Sequence, residues 1–296
     1  GLYAYTAIHA PLGLRERVVH VWLHEGKEVD RIELDVAATR RQIVGVPARP
    51  DGVYDLCVDG RLENQQSARA ATILRADLAT GSTIREPAPA QTLRFKNLAG
   101  RNKLVEIWLP YNEITELVAL RSDAPLLPVP ASVQSVWVHH GSSISHGSNA
   151  ASPTGIWPVV AARLAGLELV NLGFGGNAQL DPFTARTIRD APADVISVKL
   201  GINLVNADLM RLRAFGPAVH GFLDIIRDGH PETPLLVISP IYCPIHETTP
   251  GPGSFDLEAL ARGETKFIAT GAPGEVKTGK LTLAVIRQQL AAIVAQ

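Results

Sequence analysis

Two cysteines in 296 residues, Cys57 and Cys243, are too few and too far apart for a disulfide framework, and no CxxC pair offers a metal knuckle. Their scarcity points to a reducing, cytoplasmic compartment. Long apolar runs are missing too, so no membrane-spanning helix is expected. The first residues, GLYAYTAIHAPLGLRER, lack the basic start and long apolar stretch of a secretory leader. No charge of one sign predominates. Lys and Arg number 28 against 29 Asp and Glu, a net charge of −1, and the basic residues never mass into a run. That disfavours nucleic acid as the main partner. Aromatics make up 5% of the chain, too few to infer a sugar-stacking platform, and no lid of large apolar residues marks a long-chain lipase. The phosphate-loop and HExxH patterns are absent, and no GxGxxG follows the first strand of the α/β half. No cofactor and no metal site is expected.

What is present is ordinary globular material: 46% hydrophobic and 19% charged residues, enough for a sizeable core, at a length that favours two domains. Residues 1–121 read as β-rich. Strands are expected at 17–23 and 27–36, joined by a turn at 24–27. Residues 53–58 lead into Asp59-Gly60, a hairpin signal, with 61–65 returning. Further short strands fit 72–78, 91–95 and 103–109. Many short strands between Gly, Pro and Asp-Gly turns predict an antiparallel β-sandwich or jelly-roll domain. Residues 122–132 form a linker stiffened by Pro125, Pro128 and Pro130.

Residues 133–296 change pattern. Strands at 133–139, 167–172, 195–200 and 235–239 alternate with helices at 156–164, 183–190, 209–227 and 280–295, the third interrupted near Gly216-Pro217. This alternation predicts an α/β, flavodoxin-like parallel sheet with helices on both faces and strand order 2-1-3-4. Ligands of such sheets bind beyond the carboxyl ends of the strands.

Three loops stand there. Gly141-Ser142-Ser143-Ile144-Ser145-His146-Gly147 places hydroxyls just past a buried strand, suiting either a nucleophile or a turn that caps the next helix. Gly173, Gly175 and Gly176 lie within four residues and free backbone N–H groups for an oxyanion, a tight connection or a dinucleotide. Asn203, in Gly201-Ile202-Asn203-Leu204, supplies either an oxyanion donor or a structural amide bonding its own loop. Converging at one end of a parallel sheet, a Ser, a Gly N–H and an Asn amide make an acyl-transfer arrangement.

With these blocks in order, residues 133–296 resemble the SGNH hydrolase superfamily, the GDSL-like lipases and esterases. Gly141-Ser142-Ser143-Ile144 is similar to the family's Gly-Asp-Ser-Ile/Leu, and Gly201-Ile202-Asn203 to its Gly-x-Asn. The resemblance implies Ser143 as nucleophile, and the N–H groups of Ser143 and Gly176 with the Asn203 amide as oxyanion donors. It implies a serine-dependent carboxylic-ester hydrolase acting on a small ester, such as an acylated carbohydrate, as in bacterial members with an N-terminal β-sandwich. Ser142 replaces the first block's Asp, and Leu204 the Asp of the third.

A larger departure concerns the base. The family draws its His and acid from an Asp-x-x-His near the C-terminus, and here no His follows His246. The expectation is a hydrolase lacking its last strand, helix and catalytic pair, with a strand edge left open for pairing with a second copy. The other class of reading is a non-catalytic binding or structural protein on a degenerate scaffold. His246, with Glu247 or Asp256 near it, is the candidate replacement base; its plainer reading is a loop His. His146 is expected to bond within its loop or cap a helix, His139 and His140 to pack on opposite faces of the first strand, and Trp157 to pack or line an acyl pocket.

Overall fold

The computed structural model describes residues 32–44, 52–77, 80–129 and 132–296. The expected strand at 17–23, the turn at 24–27 and His9, His20 and His24 lie outside the described residues. The chain divides into two compact units, Gly1–Ser132 with Ala150–Gly155, and Val133–Asn149 with Ile156–Gln296.

The first unit carries β1 (Ile32–Ile43), β2 (Val53–Val58), β3 (Arg61–Ser67), β4 (Thr72–Ala76), β5 (Thr83–Glu86), β6 (Gln91–Phe95), β7 (Val105–Trp108) and β8 (Ile114–Ser122). They form a five-stranded sheet around β1 and a three-stranded sheet β3-β2-β7. Alternation explains the burial: Ile32, Leu34 and Val36 point inward from β1 and join Tyr54, Leu56, Phe95, Ile107 and Leu120 in one core. Pairing is antiparallel except between β1 and β4, which run parallel from Thr39↔Thr72 to Ile43↔Ala76. The reason is the length of β1. Its first half pairs with β6, which leaves residues 39–43 free to take a second neighbour. Two buried polar groupings fix this unit. Arg40 Nε donates to Glu113 Oε2 at 2.5 Å, with the Glu113 side chain wholly buried. Asp55, fully buried, accepts from Gln65 Nε2 at 2.8 Å and from Thr154 N–H and Oγ1 at 2.9 and 2.6 Å.

The second unit carries β9 (Val136–Gly141), α1 (Ser143–His146), α2 (Trp157–Ala165), β10 (Glu168–Gly173), α3 (Pro182–Asp190), β11 (Val195–Lys199), α4 (Ile202–Asn206), α5 (Leu212–Gly229), β12 (Leu235–Ile238), β13 (Gly253–Phe255), α6 (Leu257–Ala261), β14 (Phe267–Ala269) and α7 (Leu283–Val294). The main sheet runs β10-β9-β11-β12 with every pair parallel, which is the expected order 2-1-3-4. Its two central strands are covered on both faces, as parallel strands require: His139 and His140 are 0% and 1% exposed, and Ile196, Ser197 and Val198 are equally enclosed.

The helices differ from expectation in two places. α5 continues through Pro217 without interruption. Phe215, Val219, Phe222 and Ile226 are all buried, so one apolar face holds the helix on both sides of the proline. α7 begins at Leu283, where the Thr282 hydroxyl accepts from Val285 N–H at 3.3 Å and caps the first turn. The small antiparallel pair β13–β14 lies in the long connection between β12 and α7.

Candidate active site

The loop after β9 turns at once into α1, and Ser143 is its first residue, half-buried. Ser145, two residues on, points the other way and is sealed in. His139 Nε2 lies 2.8 Å from Ser145 Oγ, His139 Nδ1 lies 2.7 Å from Ser197 Oγ, and Trp137 Nε1 donates to Ser197 Oγ at 2.8 Å. Two tautomers satisfy the row: Ser197 donates to Nδ1 while Nε2–H donates to Ser145, or Nδ1–H donates to Ser197 while Ser145 donates to Nε2. Burial, with His140 and Lys199 nearby, pushes the His139 pKa down to about 3, so the ring is neutral. Trp157 packs edge-on against His139 at 4.8 Å. A Ser–His pair closed off in this way has no path to substrate; it anchors α1 to the sheet. His140 faces the opposite side, between Phe174 and Phe222, with Nδ1 on the Leu172 carbonyl.

The first loop is stitched to the second. Asn171 Nδ2 donates to the Ser145 carbonyl at 2.8 Å, His146 Nδ1 donates to the Gly173 carbonyl at 2.9 Å, and Phe174 N–H donates to the Gly141 carbonyl at 2.8 Å. Gly173 is required there, because a Cβ would sit 2.3 Å from His146 N. Beyond it the chain passes Ser143: a Cβ on Gly175 would lie 4.0 Å from Ser143 Cβ. Gly176 is exposed at φ +77. The turn's own bonds use Asn177 N–H, Asn177 Nδ2 and Gln179 Nε2, which leaves the Gly176 N–H outside them.

The second loop is tied to the third. Asn203, 3% exposed, accepts from Ala178 N–H through Oδ1 at 3.1 Å. With the carboxamide oxygen committed, Nδ2 is the donating end. Gly201 makes this turn possible: its φ is +126, and a Cβ would meet Ile286 Cγ2 at 2.7 Å. Loops bearing Ser143, Gly176 and Asn203 are thus joined by named bonds at one end of the sheet.

His246 is not brought to them. It is wholly buried, Nδ1 donates to the Thr249 carbonyl at 3.2 Å, and Nε2 is enclosed without a partner. Burial lowers its pKa. Glu247 pairs with Arg287, and Asp256 caps α6. Among the described residues no His hydrogen-bonds to Ser143, and no grouping of three His, Cys, Asp or Glu could hold a metal. Trp157 packs on Trp137 and His139 and does not line the cavity that adjoins the loops. That cavity, about 160 Å³, lies between Ile144, Ile202 and the 240–243 segment, with Lys199 its one charged side chain. Sequence reasoning missed Lys199 and Ser197. Both sit in VISVK, which reads only as a buried strand.

A parallel sheet in the order 2-1-3-4, with the loops of Ser143, Gly176 and Asn203 at its strand ends, is what the resemblance to the SGNH hydrolases implies. Residues 134–246 match the model of the GDSL-like lipase/acylhydrolase family. Among solved structures, salicylyl-acyltransferase SsfX3 from a tetracycline biosynthetic pathway is 28% identical, with a TM-score of 0.65 over 89% of this chain and 62% of that one. A protein assigned as a GDSL-like lipase from Bacteroides ovatus ATCC 8483 is 20% identical, with a TM-score of 0.51 over 74% of this chain and 59% of that one. The chain therefore spans about three fifths of the length of each. No curated protein matches it.

Proposed function

We propose that this protein transfers acyl groups from small carboxylic esters through Ser143. Its Oγ attacks the acyl carbon, and the hydroxyl proton passes to solvent water. Charge on the former carbonyl oxygen is held by the N–H groups of Ser143 and Gly176 and by Asn203 Nδ2. The alcohol departs with a proton, and water attacks the acyl-serine to release the acid. The observation that carries this reading is the Asn203–Ala178 bond, which commits the amide oxygen and leaves the NH₂ to donate. Short acyl esters, acylated carbohydrates among them, are the substrates proposed.

The oxyanion donors can be tested separately from the base. An oxyanion hole and substrate binding alone give roughly 10³–10⁴-fold over water when a triad member is missing. Hydrolysis of an activated aryl acetate tests this. Asn203→Ala is expected to lower the rate by roughly 10²-fold with KM nearly unchanged. An unchanged rate would remove Asn203 from the role and leave a binding scaffold as the better reading.

A second reading has a specific observation behind it. The 28% identical relative is named as an acyltransferase. If an alcohol rather than water takes the acyl group, added alcohols will divert product from acid to ester at constant total turnover.

A further inference from the structure

The cavity beside the three loops is matched to a particular kind of group. Its volume, about 160 Å³, is close to that of an apolar cavity of about 150 Å³ that accepts one benzene ring. Ile144, Leu200, Ile202, Pro240 and Cys243 give it an apolar wall. Ile144 follows Ser143 and Ile202 precedes Asn203, so the cavity adjoins both ends of the proposed oxyanion site.

Lys199 breaks the apolar character of that wall. It ends β11 at the centre of the sheet and is half-buried. Its Nζ stands 5.9 Å from the Trp157 ring centroid. Burial holds its pKa below the ordinary lysine value. A cation in this position bears a desolvation cost that a π-face offsets only in part. Solvent-seeking alone would draw the head outward along its flexible stem.

We propose that the cavity receives a single-ring aromatic acyl group bearing an anionic or hydroxyl substituent, with Lys199 as the specificity residue that pairs with that substituent. This rests on Ser143 as the acyl acceptor, which puts the attacked carbon next to the ring.

Benzoate and 3-hydroxybenzoate are suitable probes, because both carry the carboxyl that stands for the acyl carbon and they differ only in the ring substituent; each is titrated against the 296-residue chain by ligand-observed NMR and by tryptophan emission, to which Trp157 contributes. 3-Hydroxybenzoate should bind at least about tenfold more tightly than benzoate, the scale of one hydrogen bond to a charged group. Lys199→Met should abolish that preference while leaving benzoate binding intact, Lys199→Arg should keep it, and Cys243→Phe, which fills the cavity, should exclude both ligands. Equal binding of the two probes, a preference that survives Lys199→Met, or binding of either that survives Cys243→Phe would overturn the proposal. The readout is independent of turnover. Discrimination lost while Ser143 still takes a covalent probe would defeat the pocket assignment alone. Labelling lost while discrimination persists would defeat the catalytic reading alone.

Discussion

Acid should destabilise the α/β unit through His139. The ring is wholly buried and bonded at both nitrogens, to Ser197 Oγ and to Ser145 Oγ. Burial above all, with His140 and Lys199 nearby, pushes the folded pKa down to about 3, against 6.5 for an ordinary histidine. Above pH 6.5 both folded and unfolded chains hold the ring neutral, and stability does not depend on it. Below 6.5 the unfolded chain takes up a proton that the folded chain refuses, and stability falls by about 1.4 kcal/mol per pH unit until about pH 3. Between pH 6.5 and 5.0 the loss from this one group is about 1.6 kcal/mol. His140 and His246 are also depressed by burial and act in the same direction. A difference measurement separates them. Urea denaturation followed by tryptophan emission, for the wild type and for His139→Gln, should give stabilities whose gap narrows by about 1.6 kcal/mol from pH 6.5 to 5.0. A gap that stays constant would mean that His139 protonates freely in the folded protein, and the sealed relay would be wrong.

Other perturbations have equally definite outcomes. Arg40→Met leaves the buried Glu113 carboxylate without its cation and should cost about 3–5 kcal/mol of stability, read as a lowered unfolding midpoint. Adding Glu113→Leu should recover most of that loss, and a double variant as unstable as the single one would contradict the pairing argument. Gly173→Ala forces a Cβ to within 2.3 Å of His146 N, so α1 must move and the Asn203-dependent ester rate should fall with it. A fully active Gly173→Ala protein would mean that the position of α1 is irrelevant to the chemistry.

The strand order and the three loops were readable because parallel strands buried on both faces write near-continuous apolar runs, and Gly and Ser punctuate their ends. The helix through Pro217 was not. The proline's local signal is outweighed by Phe215, Val219, Phe222 and Ile226, whose partners lie far off in sequence. The parallel β1–β4 pair depends on how far β1 extends, and strand ends are weakly encoded. The Asp55–Thr154 bonds join residues 99 apart, beyond any local pattern. His246 follows the right strand, but its loop folds the ring inward onto Thr249. Strand position indicated which edge it would occupy and not where the imidazole would point. Ser197 reads as one small residue in a core strand, and only three-dimensional packing places it between Trp137 and His139.

The most direct test is to find which serine becomes covalently modified. The 296-residue chain, incubated at length with a fluorophosphonate and with imidazole as an external base, should take up one adduct. Peptide mapping by mass spectrometry should place it on Ser143, and Ser143→Ala should take up none. An adduct on Ser145 or Ser148, or one that persists in Ser143→Ala, would contradict the account.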